Sequence, residues 1–311
     1  MVDRSTGEAV VVSVRAPATS ANLGPGFDAL GLALTWYDEV TGRLARETTV
    51  TVHGEGAGEL PGDDRHLVVR AIHATFAQLG MPPAPVALTC QNRIPQARGL
   101  GSSSAAIVAG VLLGRELAGA AGGALDQPAL LRIAAGLEGH PDNVAPCLLG
   151  GFTVAWRESS EPDSARAVTV APADSVRPVL FVPDHRSLTT AARAALPDQV
   201  PHRDAAHSAG RAALLVHAVT RDPAPSLLLA ATEDRLHQQY RAAAAPATAA
   251  LVARLRAAGV PAVVSGAGPS VLAFGPVPEQ LSSQVGWVCQ EMSVDQHGAT
   301  VRPDMMPAYT G

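Results

Sequence analysis

The chain has 311 residues, a formal net charge of −5, and 23 basic residues that are all arginine. The absence of lysine excludes a Walker A ATPase, a protein kinase and a pyridoxal enzyme, because each of these needs a lysine in its site. The acidic balance argues against a nucleic-acid partner, and three widely spaced cysteines form neither a zinc motif nor a disulfide framework. No segment reads as a membrane span or signal peptide, so we expect a cytoplasmic protein.

The pattern of apolar residues predicts alternating strands and helices. The first half has expected strands at 10–15, 48–52 and 86–91 and expected helices at 66–79, 105–118 and 128–137. Further strands follow at 153–157, 167–171 and 178–182, then helices at 191–196, 205–220, 226–240 and 248–258, and last strands at 262–265 and 270–274. The polar segment 158–164 is the best boundary. We therefore expect an α+β protein with domains at 1–160 and 161–311.

A loop rich in glycine and serine joins the third strand to the second helix. Its glycines permit a tight bend, and its serines open the helix, where free N–H groups and the positive dipole end favour an anion. The pattern predicts a phosphate-binding loop, and a plain turn with a serine N-cap is the alternative. The residues assigned to this loop are Pro95, Gln96, Ala97, Arg98, Gly99, Leu100, Gly101, Ser102, Ser103, Ser104 and Ala105.

Two further loops are rich in glycine and proline. The segment 15–28 carries Asn22 and Asp28, which such a loop can present to a small ligand. An Asx turn that satisfies its own backbone is the alternative explanation of Asn22. The segment 265–270 lies between two predicted strands, and a plain hairpin turn is the alternative there.

A fourth cluster brings Glu138, His140, Asp142 and Asn143 together within six residues. A glutamate beside bound phosphate is suited to Mg²⁺, which prefers oxygen ligands. The alternative is a polar helix end followed by a turn. Four such groups next to the apolar segment 147–149 favour a functional site over that alternative.

Two other functional classes remain open at this point. The segment 101–105 approaches the nucleophile elbow of a serine hydrolase, with His140 and Asp142 as partners, although its final glycine is missing. A non-catalytic protein that binds a sugar or an amino acid is the third possibility. Labelling by a fluorophosphonate probe separates the hydrolase from a kinase, and ATP turnover separates the kinase from a binding protein.

The four clusters, in this order, resemble those of the GHMP kinase superfamily, named for galactokinase, homoserine kinase, mevalonate kinase and phosphomevalonate kinase. The segments 18–28, 95–105, 140–146 and 266–270 carry the resemblance, and in detail they are similar to the homoserine kinase family. The resemblance implies a two-domain α+β kinase with its active site in the cleft between the domains. It also implies transfer of phosphate from ATP to L-homoserine, in threonine biosynthesis. Another GHMP kinase, acting on mevalonate, shikimate or a sugar, is the alternative.

The resemblance also implies roles for individual residues. Residues 95–105 would surround the phosphates of ATP, and Ser102 and Glu138 would hold Mg²⁺. The residues that would contact homoserine are Asn22, Asp28, His140, Asn143, Thr189, Arg193 and Arg241. The group expected to act in catalysis is Asn143, Arg193, Glu138 and Ser102, and a homodimer is the expected assembly.

The two arginines give a physical reason for an amino-acid substrate. A planar guanidinium can bind a carboxylate at two points, so Arg193 and Arg241 would select an α-carboxylate. The alternative for each arginine is an ordinary charge on the surface of a helix. His66 departs from the family, which often has asparagine there, and this leaves the adenine contact undefined.

Overall fold

The computed structural model describes residues 10–158, 164–187 and 189–304, except for the side chains of 189–191 and 303–304. It confirms the α+β class, with a seven-stranded sheet, a four-stranded sheet and helices beside both. The strands are β1 (Val11–Ala21), β2 (Leu30–Leu44), β3 (Thr49–Gly54), β4 (Val86–Asn92), β5 (Phe152–Arg157), β6 (Ala165–Val170), β7 (Pro178–Pro183), β8 (Ala262–Val264), β9 (Val271–Phe274), β10 (Trp287–Glu291) and β11 (Thr300–Asp304). The helices are α1 (Leu67–Gln78), α2 (Ser102–Leu117), α3 (Gln127–Glu138), α4 (Pro141–Leu149), α5 (Thr189–Ala194), α6 (His202–Thr220), α7 (Pro225–Ala231), α8 (Gln238–Arg241), α9 (Pro246–Ala257) and α10 (Glu279–Ser282), with a 3₁₀ turn at Gly119–Ala124.

The larger sheet has the order β11-β1-β2-β4-β3, and β5 joins it by pairing with both β2 and β6. β3 and β4 run parallel, and the other pairs described in this sheet run antiparallel. Helices α2 and α4 cover it, and α1 packs on α2. Fully buried side chains such as Ile72, Leu113 and Val144 fill these contacts. Burial of this apolar surface is the main force that holds the loops at the strand ends in place.

The smaller sheet has the order β10-β7-β9-β8, and all of its pairs are antiparallel. Helix α9 packs on it through Leu251 and Leu255, which are fully buried. The segment 265–270 forms the turn between β8 and β9, as predicted. No helix in the described ranges is long and apolar enough to cross a membrane.

The structure corrects several elements of the sequence prediction. β2 and β10 were not expected, and the first strand extends to residue 21 instead of ending at 15. The single helix expected at 226–240 is interrupted between α7 and α8, where Asp234 accepts hydrogen bonds from the backbone N–H groups of Leu236, His237 and Gln238. A carboxylate that satisfies three backbone donors stabilises this turn at the expense of a continuous helix.

Two strands bear on the predicted domain division. β6 and β11 both lie after residue 160, and both belong to the larger sheet, through β5 and β1 respectively. The division at 1–160 and 161–311 therefore stays a prediction about folding units, and the sheet does not end where that division falls.

Candidate active site

The glycine-rich loop leads directly into helix α2. Gly99 and Gly101 have φ values of 71° and 69°, and Gly101 is the N-cap residue of the helix. A Cβ at Gly99 would collide with the carbonyl oxygen of Ser265, so the loop can approach the β8–β9 turn only with glycine at this position. The free N–H groups at the start of α2 make this end of the helix suited to an anion.

The loop forms one wall of a cavity of about 440 Å³. Seven of its eleven predicted residues line this cavity: Gln96, Ala97, Gly99, Leu100, Gly101, Ser102 and Ser103. Pro95, Arg98, Ser104 and Ala105 do not line it. Arg98 instead donates hydrogen bonds to the carbonyl oxygens of Pro183 and Asp184, at 2.8 and 2.9 Å, so its side chain joins the loop to the end of β7. The nucleotide role of all eleven loop residues stays a prediction.

Glu138 lies at the end of α3, beside the start of α2. Its Oε1 atom accepts hydrogen bonds from the hydroxyls of Ser103 and Ser104, at 2.8 and 2.9 Å. Ser102 lines the cavity, but its hydroxyl is not one of these two donors. One carboxylate next to serine hydroxyls and a phosphate-binding loop fits Mg²⁺, which takes few protein ligands and completes its shell with phosphate and water oxygens.

His140 and Asp142 form a close pair at the start of α4. The Nδ1 atom of His140 lies 2.6 Å from Asp142 Oδ1. Burial lowers the pKa of His140, but the hydrogen bond and negative charge of Asp142 outweigh it, so the pKa is raised overall. Within the described residues, the hydroxyls of Ser103 and Ser104 bind Glu138 instead of this histidine, and the arrangement does not form a hydrolase triad.

Asn143 is held by a residue that sequence reasoning did not find. Thr19, in β1, donates a hydrogen bond of 2.8 Å from its hydroxyl to Asn143 Oδ1, and both side chains are buried. The backbone N–H of Thr19 also binds the carbonyl oxygen of Leu100 in the glycine-rich loop, at 3.0 Å. Because Oδ1 is occupied, the amide NH₂ of Asn143 is the group left for the cavity that it lines.

Asn22 holds the loop after β1 in a left-handed conformation, with φ at 66°. Its Oδ1 atom accepts from the backbone N–H of Asp28 at 2.9 Å, and its Nδ2 atom donates to the carbonyl oxygen of Gly266, also at 2.9 Å. These bonds do not form the Asx turn considered for Asn22, because the N–H that it accepts from lies six residues further on and not two. The side chain instead closes the loop 22–28 and joins it to the β8–β9 turn. Asn22 and Asp28 both line the cavity.

Three charged side chains meet at this end of the cavity. Arg193 in α5 makes a two-point ion pair with Asp28, at 2.8 and 3.1 Å. Arg241 in α8 is 5% exposed, and its pKa is lowered by burial and by the charge of Arg193. The guanidinium carbons of the two arginines lie 5.6 and 5.4 Å from the ring centre of Phe27. Thr189 is in the first turn of α5, and its side chain lies outside the described residues.

His237 also contributes to this end, and sequence reasoning missed it. Its Nδ1 atom lies 3.0 Å from Arg241 Nη1, and its Nε2 atom lies 2.8 Å from the carbonyl oxygen of Gly24. The sequence feature that could have indicated His237 is its position four residues before Arg241, because residues four apart lie on the same face of a helix.

The cavity is also lined by His66, Asp38, Leu67 and Val68. His66 is the N-cap of α1, with its Nδ1 accepting from the N–H of Val68 at 3.3 Å, and burial lowers its pKa. Asp38 Oδ1 accepts from the backbone N–H groups of Arg93 and Ile94, at 2.6 and 2.8 Å. Burial raises the pKa of Asp38 to about 6. The lining of the cavity thus includes the cluster of Asp28, Arg193 and Arg241 as well as apolar side chains such as Leu67 and Val68.

Comparison with known proteins agrees with this architecture. The model for the GHMP kinases N terminal domain matches residues 66–151. A homoserine kinase of Streptomyces avermitilis is 54% identical over 302 residues, which cover 95% of this chain and 97% of that protein. One from Clavibacter michiganensis is 50% identical over 94% of each chain. The crystal structure of homoserine kinase from Cytophaga hutchinsonii has a TM-score of 0.79 at 27% identity, and covers 97% of this chain and 100% of that chain.

Fold and site together define an ATP-dependent kinase of the GHMP class, which acts on an alcohol group. At these identities the chain belongs to the homoserine kinase family.

Proposed function

We propose that this chain transfers the γ-phosphoryl group of ATP to the side-chain hydroxyl of L-homoserine, giving O-phospho-L-homoserine, ADP and the proton released from the hydroxyl. The observation that carries the proposal is the group of charges formed by Asp28, Arg193 and Arg241 at one end of a cavity whose wall is a phosphate-binding loop. A zwitterionic amino acid offers a carboxylate to the arginines and an ammonium to the aspartate. Mevalonate has no ammonium, and a neutral sugar has neither charge.

The nucleotide is assigned to the glycine-rich loop and to the part of the cavity lined by Leu67 and Val68. The N–H groups at the start of α2 and the left-handed glycines favour phosphate there, and Leu67 and Val68 offer apolar surface to a base. Mg²⁺, when bound, supplies neutralisation of charge on the phosphate oxygens, and Glu138 with Ser102 would hold it. Ser103 and Ser104 orient the Glu138 carboxylate for that role.

The proposed mechanism depends on alignment and not on a general base. The amide of Asn143 does not accept a proton near neutral pH, and its NH₂ group is oriented by Thr19 to donate. The Nδ1 atom of His140 is engaged by Asp142, and Asp28 is engaged by Arg193. Phosphoryl transfer needs positioned oxygens and compensated charge more than it needs covalent chemistry. Asn143 would therefore orient the acceptor, and Arg193 would stabilise the transferring phosphate.

An ADP-release assay tests the proposal directly. Homoserine, mevalonate, galactose, shikimate and serine are each supplied with ATP and Mg²⁺ under identical conditions. We expect homoserine to release ADP far faster than any other alcohol. If mevalonate or a sugar is preferred, the charges at Asp28, Arg193 and Arg241 do not select an amino acid, and a sister kinase activity takes its place.

Three further predictions belong to the same proposal. The site lies in the cleft between two domains at 1–160 and 161–311, the protein acts in the cytoplasm, and it forms a homodimer. Arg193, Arg241 and Gly266 line the cavity together with residues from before position 160, which supports the cleft. Light scattering on the purified full chain tests the dimer, and expression of each half as a separate chain tests the division.

A further inference from the structure

His237 lies between two parts of the candidate site that are far apart in the sequence. Its side chain is fully buried, with 0% exposure. On one side it contacts the carbonyl oxygen of Gly24, in the loop that also carries Asp28, and on the other side it contacts the guanidinium of Arg241 in α8. A single imidazole thus joins the loop and the helix.

The two hydrogen bonds fix which nitrogen of His237 carries the proton. A backbone carbonyl only accepts a hydrogen bond, so Nε2 is protonated and donates to Gly24. A guanidinium only donates, so Nδ1 is unprotonated and accepts from Arg241 Nη1. The pKa of His237 is lowered by burial, which agrees with a neutral ring. The Asp234 carboxylate lies 3.6 Å from Nε2, and its oxygens are occupied by backbone N–H groups.

Neither partner of His237 is free to move independently. Gly24 has φ at 83°, and a Cβ there would come 2.7 Å from the carbonyl oxygen of Thr232, so this part of the loop is tightly enclosed. Arg241 donates through Nε to the carbonyl oxygen of Ala192 at 3.1 Å, and through Nη1 to His237 and to the carbonyl oxygen of Gly266 at 3.4 Å. Within the described part of the chain, its Nη2 atom has no protein partner. Arg241 lines the cavity, so Nη2 is the atom left for a ligand carboxylate.

Phe27 adds a second contact between the same two segments. The Phe27 ring lies 5.2 Å from the His237 ring and 5.4 Å from the guanidinium carbon of Arg241. The next residue along the chain is Asp28, whose carboxylate pairs with Arg193 in the site. The position of Asp28 relative to Arg241 therefore depends on how His237 and Phe27 contact each other.

We propose that His237 is a positioning residue that sets the spacing between the carboxylate-binding and ammonium-binding ends of the amino-acid site. Its Nδ1 atom orients Arg241 toward the carboxylate, and its Nε2–H group holds the loop that carries Asp28 toward the ammonium. This inference rests on the proposed function, because it takes a zwitterionic amino acid as the acceptor. His237 acts through Arg241 and Asp28 and does not touch the substrate.

Two substitutions separate the two hydrogen bonds. His237→Gln keeps an N–H near the position of Nε2 and loses the acceptor at Nδ1, whereas His237→Asn keeps an acceptor near Nδ1 and loses the N–H that reaches Gly24. Each should raise the KM for homoserine about tenfold and leave the KM for ATP within about twofold, because only the amino-acid end is disturbed.

Double-mutant cycles then identify the partner through which each substitution acts. In an Arg241→Met background, His237→Gln should change the homoserine KM by less than about twofold, because the guanidinium that Nδ1 orients is gone. In an Asp28→Asn background, His237→Asn should likewise change the homoserine KM by less than about twofold, because the carboxylate that the loop positions is gone. Full tenfold effects in both backgrounds would show that His237 supports only the general fold, and the proposal would be wrong.

The matched control is His73→Gln. His73 in α1 also binds a backbone carbonyl through Nε2, that of Ala84 at 3.1 Å, and it does not line the cavity. This variant should keep both KM values.

Thermal unfolding shows which variants fold. If one His237 variant does not fold, the double-mutant cycle of the other variant still tests the proposal and can overturn it. If Arg241→Met by itself leaves the homoserine KM unchanged, the proposed function fails at its carboxylate site. If Arg241→Met raises that KM and the cycles are additive, only the role of His237 fails.

Discussion

At the scale of single residues, the candidate site depends on charges that compensate one another. Arg193 is half exposed and paired with Asp28, whereas Arg241 is almost fully buried and bound to His237 and to backbone carbonyls. An exposed ion pair contributes little to stability, so a large effect of Arg193 on kinetics has to come from the substrate.

We expect Arg193→Met and Arg241→Met each to raise the KM for homoserine strongly. Loss of a charge-assisted contact, which also leaves the substrate carboxylate without its partner, costs roughly 2–4 kcal/mol, which corresponds to about 30-fold to 1,000-fold in KM. Arg193→Met should lower kcat as well, because its contact with the transferring phosphate strengthens in the transition state. Steady-state kinetics with each substrate varied in turn measure both effects.

Arg203→Met is the control for these two variants. Arg203 lies in α6 with its side chain 84% exposed, and it does not line the cavity. It should leave all kinetic constants unchanged. Wild-type homoserine kinetics in both Arg193→Met and Arg241→Met would remove these residues from the site.

A second residue-scale prediction concerns Gly101. A side chain at this left-handed position would collide with Thr19 Oγ1 and come 3.2 Å from Asn143 Oδ1. Gly101→Val should therefore abolish tight ATP binding measured by calorimetry, and also displace Asn143. Gly80→Val is the matched control, because Gly80 has nearly the same φ, 68°, and no atom within 4 Å of the Cβ position. Unchanged ATP binding in Gly101→Val would show that the loop is only a turn.

The sequence predicted the residues of the site that lie within contiguous motifs, and missed those defined by distant contacts. Glu138, His140 and Asn143 fall in one short segment, so the sequence alone indicates that their polar groups lie close together. Thr19 reaches Asn143 across 124 positions, and His237 reaches Gly24 across 213. No local pattern carries such a contact, because it depends on how the sheet and helices pack.

At the scale of elements, the largest omission from the sequence prediction was β2. Its glycines, Gly31 and Gly42, weaken a strand pattern, because glycine lacks a side chain to pack. The structure explains both. A Cβ at Gly31 would collide with the carbonyl oxygen of Asp142 in α4, and a Cβ at Gly42 would lie 2.7 Å from the Leu88 side chain. Close packing of α4 against Gly31 and of the Leu88 side chain of β4 against Gly42 thus required glycines, and these obscure the strand pattern of β2.

Asp38 connects β2 to the chain after β4, and its titration gives a pH prediction. Because burial raises its pKa to about 6 in the folded protein, from an ordinary value of 3.8, the folded state binds the proton more tightly. The stabilisation from this group is therefore fully present below its ordinary pKa, and it is lost as the pH rises from about 4 to about 6.

Asp38→Asn should remove this loss, because an amide oxygen can still accept from the N–H groups of Arg93 and Ile94. Relative to the wild type, the variant should gain about 2–3 kcal/mol in the free energy of unfolding between pH 4 and pH 7. Urea unfolding of both proteins at the two pH values measures this change. A constant difference between variant and wild type would contradict the raised pKa.

At the scale of the whole molecule, the order of the motifs predicted the class and family, and the three-dimensional arrangement gives the reason. The loop after β1, the glycine-rich loop, the start of α4 and the β8–β9 turn are distant in sequence but meet around one cavity. The sequence did not predict β11 or its pairing with β1. A strand this short has no distinctive sequence pattern, and only its pairing with another strand identifies it.

The central claim is that this molecule phosphorylates homoserine in preference to other small alcohols. The most direct test is a competition in one tube, with equal concentrations of homoserine, mevalonate, galactose, shikimate and serine, followed by ³¹P NMR. We predict that one new phosphomonoester accumulates, that it is O-phosphohomoserine, and that it forms in a one-to-one ratio with ADP. Phosphorylation of another alcohol, or release of inorganic phosphate without any phosphomonoester, would contradict the claim.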